Sequence, residues 1–330
     1  MTDLKMKAIA ITGYGSPQVL QVREFAQPQP QADEILVQIR ATPVTAADTL
    51  MRRGVPRFAR LFLGWRRPKQ VIPGTCFAGV VSATGRDVRR FRVGDAVFGL
   101  TTLHFSANAE YVCVPEDGVV VEKPTNLSFA EAATAGDGAL TSLNFLRELA
   151  QVRPGQKVLI NGASGSLGTA AVQLAKHLGA EVTGVCSTRN VALVQSLGAD
   201  AVIDYTEVDF TKTRSTYDVI FDTIGKSSFA RCQEALRPKG QYLSPVLRLP
   251  LLLRMLWTRW WGAKRARFAA TGLLPEPQLR AMLHDLKGLY ESGQLRAVID
   301  QRYPLGAVVE AHRYVDTGRK RGNVVLLPAS

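Results

Sequence analysis

Short apolar runs broken by turn residues dominate the first part of the chain. KAIAIT, VLQVREF and EILVQIRAT, within residues 6–40, read as strands separated by GYGSPQ and a Pro-rich connector. From Val71 to Val121 the runs IPGTCFAGVVSATG, FRVGDAVFG, AEYVCV and GVVVEKP are punctuated by glycine, which predicts a β-rich unit. The texture changes at Asn126. Ser128 and Glu131 have capping-box spacing, and a helical apolar pattern runs on toward Leu149. From Lys157 strands and helices alternate: KVLING, TAAVQLAKHLG, EVTGVCS, NVALVQSLG, AVIDY, YDVIFDTIG, FARCQEALRPKG, QYLSPV. Such alternation predicts a parallel sheet with crossover helices. The tail adds a helix from about Pro275, an extended AVIDQRYPL, another helix and a last strand, GNVVLLP.

Length and composition fit this two-part organisation. The 330 residues are 46% hydrophobic, enough for a core in each of about two domains. Four scattered cysteines exclude a disulfide-stapled scaffold, and no pair is spaced for a zinc knuckle. The polar lead MTDLK has no signal-peptide core, and no apolar window suits a spanning helix. A cytoplasmic protein of a reducing compartment is expected, with a peripheral membrane contact left open. The formal charge of +13 is uneven. No acid lies between Asp48 and Asp87 or between Glu234 and Glu276, and each stretch carries eight Lys or Arg. Interleaved with Trp and Leu, these cations suit nucleic acid, an anionic membrane surface or a cleft for an apolar acid. A solvated face with partly buried stems accounts for them equally well.

The strongest local chemistry follows strand Lys157–Asn161, in Gly162-Ala163-Ser164-Gly165-Ser166-Leu167-Gly168, with a helix expected from Thr169. Glycines at this spacing let backbone approach a pyrophosphate, and a helix N-terminus favours its charge. The candidate cofactor-binding residues here are Ser164, Gly165, Ser166, Leu167, Gly168 and Thr169. A glycine-rich turn without a ligand is the alternative. The next strand, EVTGVC, ends in Ser187-Thr188-Arg189-Asn190, where an NAD site carries an acid. Arg189 suits a 2′-phosphate, Ser187 and Thr188 add hydroxyls, and Tyr205 stands at the end of the following strand. NADPH is therefore the expected cofactor, with Arg189 as an ordinary surface residue the competing reading.

The ordered set of motifs resembles the medium-chain dehydrogenase/reductase superfamily, in its zinc-free quinone-oxidoreductase (zeta-crystallin-like) branch. The matching pieces are KAIAITGYGSPQVLQV, Asp48 with Arg52 and Gly54, PGTCFAGVVSATG, FRVGDAVFG, AEYVCVP, LTSLNFL, VRPGQKVLINGASGSLGTAAVQLAKHLGA, STRNVALVQSLGADAVIDY, YDVIFDTIG and RGNVVLLP. The resemblance implies an α/β fold: a Rossmann doubly wound parallel sheet over 126–272, and a GroES-like β-rich domain from 1–125 and 273–330. It implies that Gly165–Thr169 hold the pyrophosphate, and Ser187, Thr188, Arg189 and Tyr205 the adenosine end. Gly225 and Ser244–Leu247 would approach the nicotinamide, with Thr141 and Gly322 bordering the cleft. It further implies NADPH-dependent hydride transfer to a quinone or α,β-unsaturated carbonyl, a small apolar electrophilic substrate and a homodimer. A non-catalytic NADPH-binding or membrane-associated member is the alternative; nucleic acid is not expected.

Zinc is not expected. Relatives that bind zinc carry Gly-His-Glu where this chain reads Cys76-Phe77-Ala78, and the structural cysteine cluster is missing. Leu50 stands where enoyl-thioester reductases of the superfamily present a tyrosine, and Thr45 replaces a common asparagine. No acid catalyst is assigned. Asp48 either orders the nicotinamide side or caps the following turn. Finally, Val246–Phe268 predicts a helical lid broken early by Pro250, with Phe58–Lys69 approaching from the other domain; packing into the interdomain core is the alternative.

Overall fold

The computed structural model describes residues 4–55, 57, 60–260 and 263–328. It divides into two units: Met1–Asp137 with Gly272–Gly293 and Ala297–Ser330, and Gly138–Thr271 with Gln294–Arg296. Residues 126–137 thus group with the first unit, although the change of sequence texture begins at 126.

In the first unit the long strand Glu34–Val44 pairs antiparallel with Cys76–Thr84 and Tyr111–Pro115. Ala96–Leu100 and Val119–Glu122 extend the sheet beyond Cys76–Thr84. The tail strand Asn323–Leu327 joins the other side, antiparallel to Glu34–Val44 and parallel to Ile299–Pro304. Ile35, Val37, Ile39, Phe77, Val97 and Val120 fill one core. A second core gathers Ile9, Leu20, Val44, Val308, Val315 and Val324, so the tail belongs to the N-terminal fold by packing as well as pairing. Helix Ala46–Arg53 buries Arg52, whose guanidinium donates to the Gly15 carbonyl (2.7 Å) and to Asp316 (2.5 Å).

The second unit is a six-stranded parallel sheet in the order Ala201–Asp204, Glu181–Cys186, Lys157–Asn161, Tyr217–Asp222, Leu236–Leu243, Arg265–Arg267. This is the doubly wound order, reversing direction between Lys157–Asn161 and Tyr217–Asp222. Its inner strands are apolar on both faces, as burial from two sides requires.

Several local expectations are corrected. The pattern from Ser128 to Leu149 is not one helix. The Ser128–Glu131 capping box forms, but the helix ends at Ala133 and gives way to a 3-10 turn, helix Gly138–Leu143 and a π-helical stretch Asn144–Leu149. A Cβ on Gly136 would press on Cys76 and Leu100, and one on Gly138 would lie 2.7 Å from the Ser166 carbonyl. Close approach at these two points takes precedence over helical continuity. The helix after the glycine turn starts at Ser166, not Thr169, because the Thr169 N–H already bonds the Gly165 carbonyl. The helix expected in NVALVQSLG covers Val191–Ser196, with Gly198 at φ +97° beyond it. FARCQEALRPKG is helical only at Phe229–Cys232; its end belongs to strand Leu236–Leu243. The pairing register shifts between Tyr217 and Val219, accommodating Pro238, which has no N–H to donate.

The Val246–Phe268 segment contains a helix, Leu249–Trp260. Pro250 does not break it, since in the first turn its missing N–H costs nothing. Nor is the segment wholly packed away: Leu251 and Met255 join the second unit's core while Leu253 and Trp257 are exposed. Phe58 and Trp261 of the two basic-apolar stretches lie outside the described residues.

Arg52 is nearly inaccessible and ties three segments of the first unit together. Arg52→Met should lower that unit's stability by about 3 kcal/mol, because Asp316 and the Gly15 carbonyl lose their donor. Denaturant unfolding of the variant against the parent protein checks this; an unchanged midpoint would deny the bridge its structural role.

Candidate functional site

The glycine turn lies at the carboxyl end of Lys157–Asn161, where the strand order reverses. Its three glycines serve different ends. Gly162 adopts φ +81°, and a Cβ there would meet Thr223 Oγ1 at 2.8 Å. Gly168 has no room for a side chain, because a Cβ would lie 2.0 Å from the Gly162 carbonyl oxygen. Gly165 is extended and faces open space: its nearest Cβ neighbour is the Gly162 oxygen at 3.4 Å. The first glycine makes the turn, the third brings the helix onto it, and the second leaves a cradle that a larger side chain would fill. Gly165 is also the N-cap of helix Ser166–His177 and, having no side chain, makes no cap hydrogen bond of its own. The positive end of the helix dipole lies at the cradle.

The other predicted residues fall as follows. Ser164 accepts from Asn190 Nδ2 (3.0 Å), which also reaches Ser187 Oγ (3.3 Å). Asn190, buried and absent from the expectations, ties the glycine turn to the loop after the second strand. Thr188 and Arg189 are exposed on that loop. The Thr188 and Thr206 hydroxyls lie 3.3 Å apart, and Thr206 donates to Asp204. The bonds from Thr188 and Thr206 hold the Asp204 carboxyl below its usual range. Tyr205 is largely exposed, and its N–H bonds the Cys186 carbonyl. Leu167 and Thr169 lie in the first helical turn, where the Leu167 carbonyl accepts from Ser142 and Thr169 Oγ1 donates to the Ser166 carbonyl. Thr141 is half-buried on the helix carrying Ser142.

At the adjoining strand ends, Asp222 is fully buried and bound by Asn161 Nδ2, the Tyr242 hydroxyl and the Ser227 N–H, each at 2.8 Å. Burial, then the Asp222 charge, pushes the Tyr242 phenol up. Gly225 follows in a turn at φ +63°, where a Cβ would strike Val246 at 2.7 Å. Ser244, also buried, accepts from the Val246 N–H. The Gly225 and Ser244–Val246 turns therefore meet at the carboxyl edge. Gly322, in the first unit, is held at φ +75° against Val298, a constraint of the turn into the last strand.

The first unit holds an apolar cavity of about 250 Å3, lined by Ile11, Tyr14, Met51, Leu63, Leu103 and Phe105, with Asp48, Arg52 and His312 also on its wall. Thr45 and Asp48 form a complete capping box, so Asp48 does cap its helix. Its Oδ2 accepts twice from Thr45, leaving Oδ1 buried without a partner. Both His312 nitrogens and Arg52 Nε are likewise buried and unpartnered. Burial raises the Asp48 carboxyl to about 6 against the Thr45 bonds, and Asp137 adds to the rise. Burial, then Arg52, brings His312 down to about 3. Nothing in its sequence surroundings marks His312; only the packing of helix Val308–Asp316 against Ala46–Arg53 brings it here. Among the described residues, no three His, Cys, Asp or Glu side chains are grouped to hold a metal ion.

Comparison with known proteins bears on this arrangement. The alcohol dehydrogenase GroES-like domain matches residues 31–125, and the zinc-binding dehydrogenase family matches residues 197–326. The chain is 32% identical to the 2-methylene-furan-3-one reductase of Solanum lycopersicum, over 98% of this chain and 79% of that one. It is 30% identical to a quinone oxidoreductase of Pseudomonas aeruginosa, over 98% and 99% of the two chains. The quinone oxidoreductase of Coxiella burnetii superposes with a TM-score of 0.87 at 29% identity, over 98% and 99%.

Gly165→Val should fold with a melting temperature close to the parent's, yet lose dinucleotide affinity. Excluding phosphate from two backbone donors costs about 3 kcal/mol, roughly a hundredfold in Kd. Gly168→Val should instead lose stability. Thermal melts and a dinucleotide titration separate them, and tight binding by folded Gly165→Val would move the site elsewhere.

The buried cavity groups predict opposite pH effects. Asp48, raised from 3.8 to about 6, stabilises the fold below the lower value, a contribution lost as pH rises through the upper. Asp48→Asn should thus gain up to about 3 kcal/mol at neutral pH and little at about pH 4. His312 contributes in the other sense: its stability is present above 6.5 and is lost as pH falls toward 3. Its imidazole NMR signals should therefore stay those of the neutral ring down to about pH 5, against the reference range near 6.5.

Proposed function

Because this chain belongs to the medium-chain dehydrogenase/reductase superfamily, in its quinone-oxidoreductase branch, we propose that it is an NADPH-dependent, zinc-independent reductase of quinones or α,β-unsaturated carbonyls. It is an oxidoreductase. The single observation that carries the cofactor reading is the Gly165 cradle, where an added Cβ would meet nothing nearer than the Gly162 oxygen at 3.4 Å and backbone lies open beside a helix N-terminus. Ser166–Gly168 would hold the pyrophosphate with backbone N–H groups, while the Thr169 N–H closes the first helical turn on the Gly165 carbonyl. Asn190 would keep Ser164 and Ser187 in register for the adenosine ribose, and Arg189 would face its 2′-phosphate. No acid ends the second strand, which supports NADPH over NADH. A relative in Arabidopsis thaliana is named an NADPH-dependent alkenal/one oxidoreductase, at 28% identity.

When bound, the reduced nicotinamide supplies a hydride to an acceptor that is already electrophilic. The protein's part is then to position and to exclude water. The buried Asp222, bound by three donors, stiffens the strand ends that lead to Gly225 and Ser244. An apolar acceptor suits the cavity walls of the first unit, where Phe105, Leu63 and Met51 offer no charge. The absence of Gly-His-Glu at Cys76–Ala78 supports chemistry without zinc.

Arg189→Ala should raise the NADPH KM by roughly 10–100-fold, about 1.5–3 kcal/mol, and leave NADH nearly unaffected. Steady-state oxidation of both cofactors with a panel of quinones and enals measures this; equal effects would remove Arg189 from the 2′-phosphate. Dialysis against a strong chelator should leave the rate unchanged. Loss of activity that zinc restores would overturn the metal-free reading.

A further inference from the structure

We propose that the face of the first unit carrying Leu61 and Trp65 docks on an anionic lipid bilayer surface. Five large apolar side chains stand in solvent there: Val55, Leu61, Trp65, Val71 and Leu103 are 47–70% exposed. Local bonds hold them in place. The Gly64 N–H bonds the Arg60 carbonyl, the Lys69 N–H bonds the Leu63 carbonyl, and the Tyr14 hydroxyl donates to the Gly64 carbonyl at 2.7 Å. Gly64 lies at φ +125°, where a Cβ would collide with the Arg67 carbonyl oxygen, so the turn that presents Trp65 is tight. The Ser106 N–H bonds the Ile72 carbonyl at 3.1 Å, which sets the Leu103 loop beside Val71. An apolar group of this size, held outward, marks an interaction surface rather than a solvated one.

Charge selects the occupant. No acid occurs from residue 49 to 86, a stretch with eight Lys or Arg. Arg52 and Arg53 face Asp316, while Arg60 lies over the Tyr14 ring and donates to the Gly54 carbonyl. Arg57, Arg66, Arg67 and Lys69 are exposed and form no ion pair among the described residues. Leu61 and Trp65 thus stand between cations on both sides along the chain. Leucine and valine suit acyl chains, tryptophan suits the headgroup boundary, and arginines suit lipid phosphates, with long basic stems reaching both. Nucleic acid would pair with the cations yet leave the aliphatic side chains in water. A second copy would set the same acid-free surface against itself. The face also opens inward. Leu103, Lys69 and Gln70 are exposed and line the apolar cavity of the first unit, so the cavity reaches solvent here. Under the reductase reading, an acceptor dissolved in the bilayer would reach that cavity without crossing water; the docking itself requires no acceptor.

The test uses the full chain with phosphatidylcholine vesicles, alone or with about one-third phosphatidylglycerol, in co-sedimentation. Sedimentation reads the docking without turnover, so a failure of the reductase reading would leave it standing. The expected result is binding roughly tenfold or more tighter to the anionic vesicles, weakened by high salt, with Trp fluorescence quenched by brominated acyl chains. Trp65→Phe should keep the binding and remove that quenching. Leu61→Glu/Trp65→Glu should abolish the binding while circular dichroism and melting temperature stay those of the parent. Arg66→Glu/Arg67→Glu should remove the preference for anionic lipid. The proposal is overturned if the parent does not bind vesicles, whether or not it retains single-stranded RNA, or if Leu61→Glu/Trp65→Glu binds equally well. Quenching that persists in Trp65→Phe overturns it too, since another face would then meet the lipid. So does conversion of a dimer to a monomer by Leu61→Glu/Trp65→Glu, which would make this face an interface between copies.

Discussion

The carboxyl edge of the parallel sheet depends on how closely helix Ser166–His177 approaches the turn that precedes it. At Gly168 a single added carbon would come within 2.0 Å of the Gly162 oxygen. The helix sits where it does because that carbon is missing. Its N-terminus consequently opens on the point of strand reversal, and Gly165 remains as open backbone beside it. The Ser142 hydroxyl on the Leu167 carbonyl and the close pass of Gly138 on Ser166 brace the same turn from a second helix. The anion site proposed at this turn would be made chiefly of backbone, so its specificity would lie in excluded volume rather than in any one side chain.

Around the turn, buried polar groups hold the strand ends in place. Asp222 would be costly alone in the core, yet three donors surround it and connect strands Lys157–Asn161, Tyr217–Asp222 and Leu236–Leu243. The first unit treats its buried groups differently. Asp48, Arg52 and His312 each keep an unpartnered polar atom near one apolar cavity, and burial shifts Asp48 and His312 toward their neutral forms. A satisfied network stiffens the second unit, while the cavity retains unspent hydrogen-bonding capacity. Such capacity is what a pocket needs to orient an otherwise apolar guest.

The local signals were legible from the chain itself. Strand and helix alternation, the Gly162–Gly168 turn, the missing acid at Ser187–Asn190 and the two acid-free stretches are all near-neighbour patterns, and local periodicity or spacing reveals them. The capping boxes at Thr45–Asp48 and Ser128–Glu131 also form, because three-residue spacing alone determines whether they are possible. What only the tertiary structure decided involves residues far apart in sequence. Asn190 on Ser164, Asn161 and Tyr242 on Asp222, and His312 beside Arg52 carry no mark in their own neighbourhoods. The helical pattern after Ser128 was broken where backbone came into contact, at Gly136 and Gly138, and the strand register shifted where Pro238 could not donate to a neighbouring strand. Likewise the composition of Leu249–Trp260 announced an apolar, basic helix. Which of its faces met the core was settled by Leu251 and Met255 finding partners on the sheet, because burial is a property of packing and not of residue type.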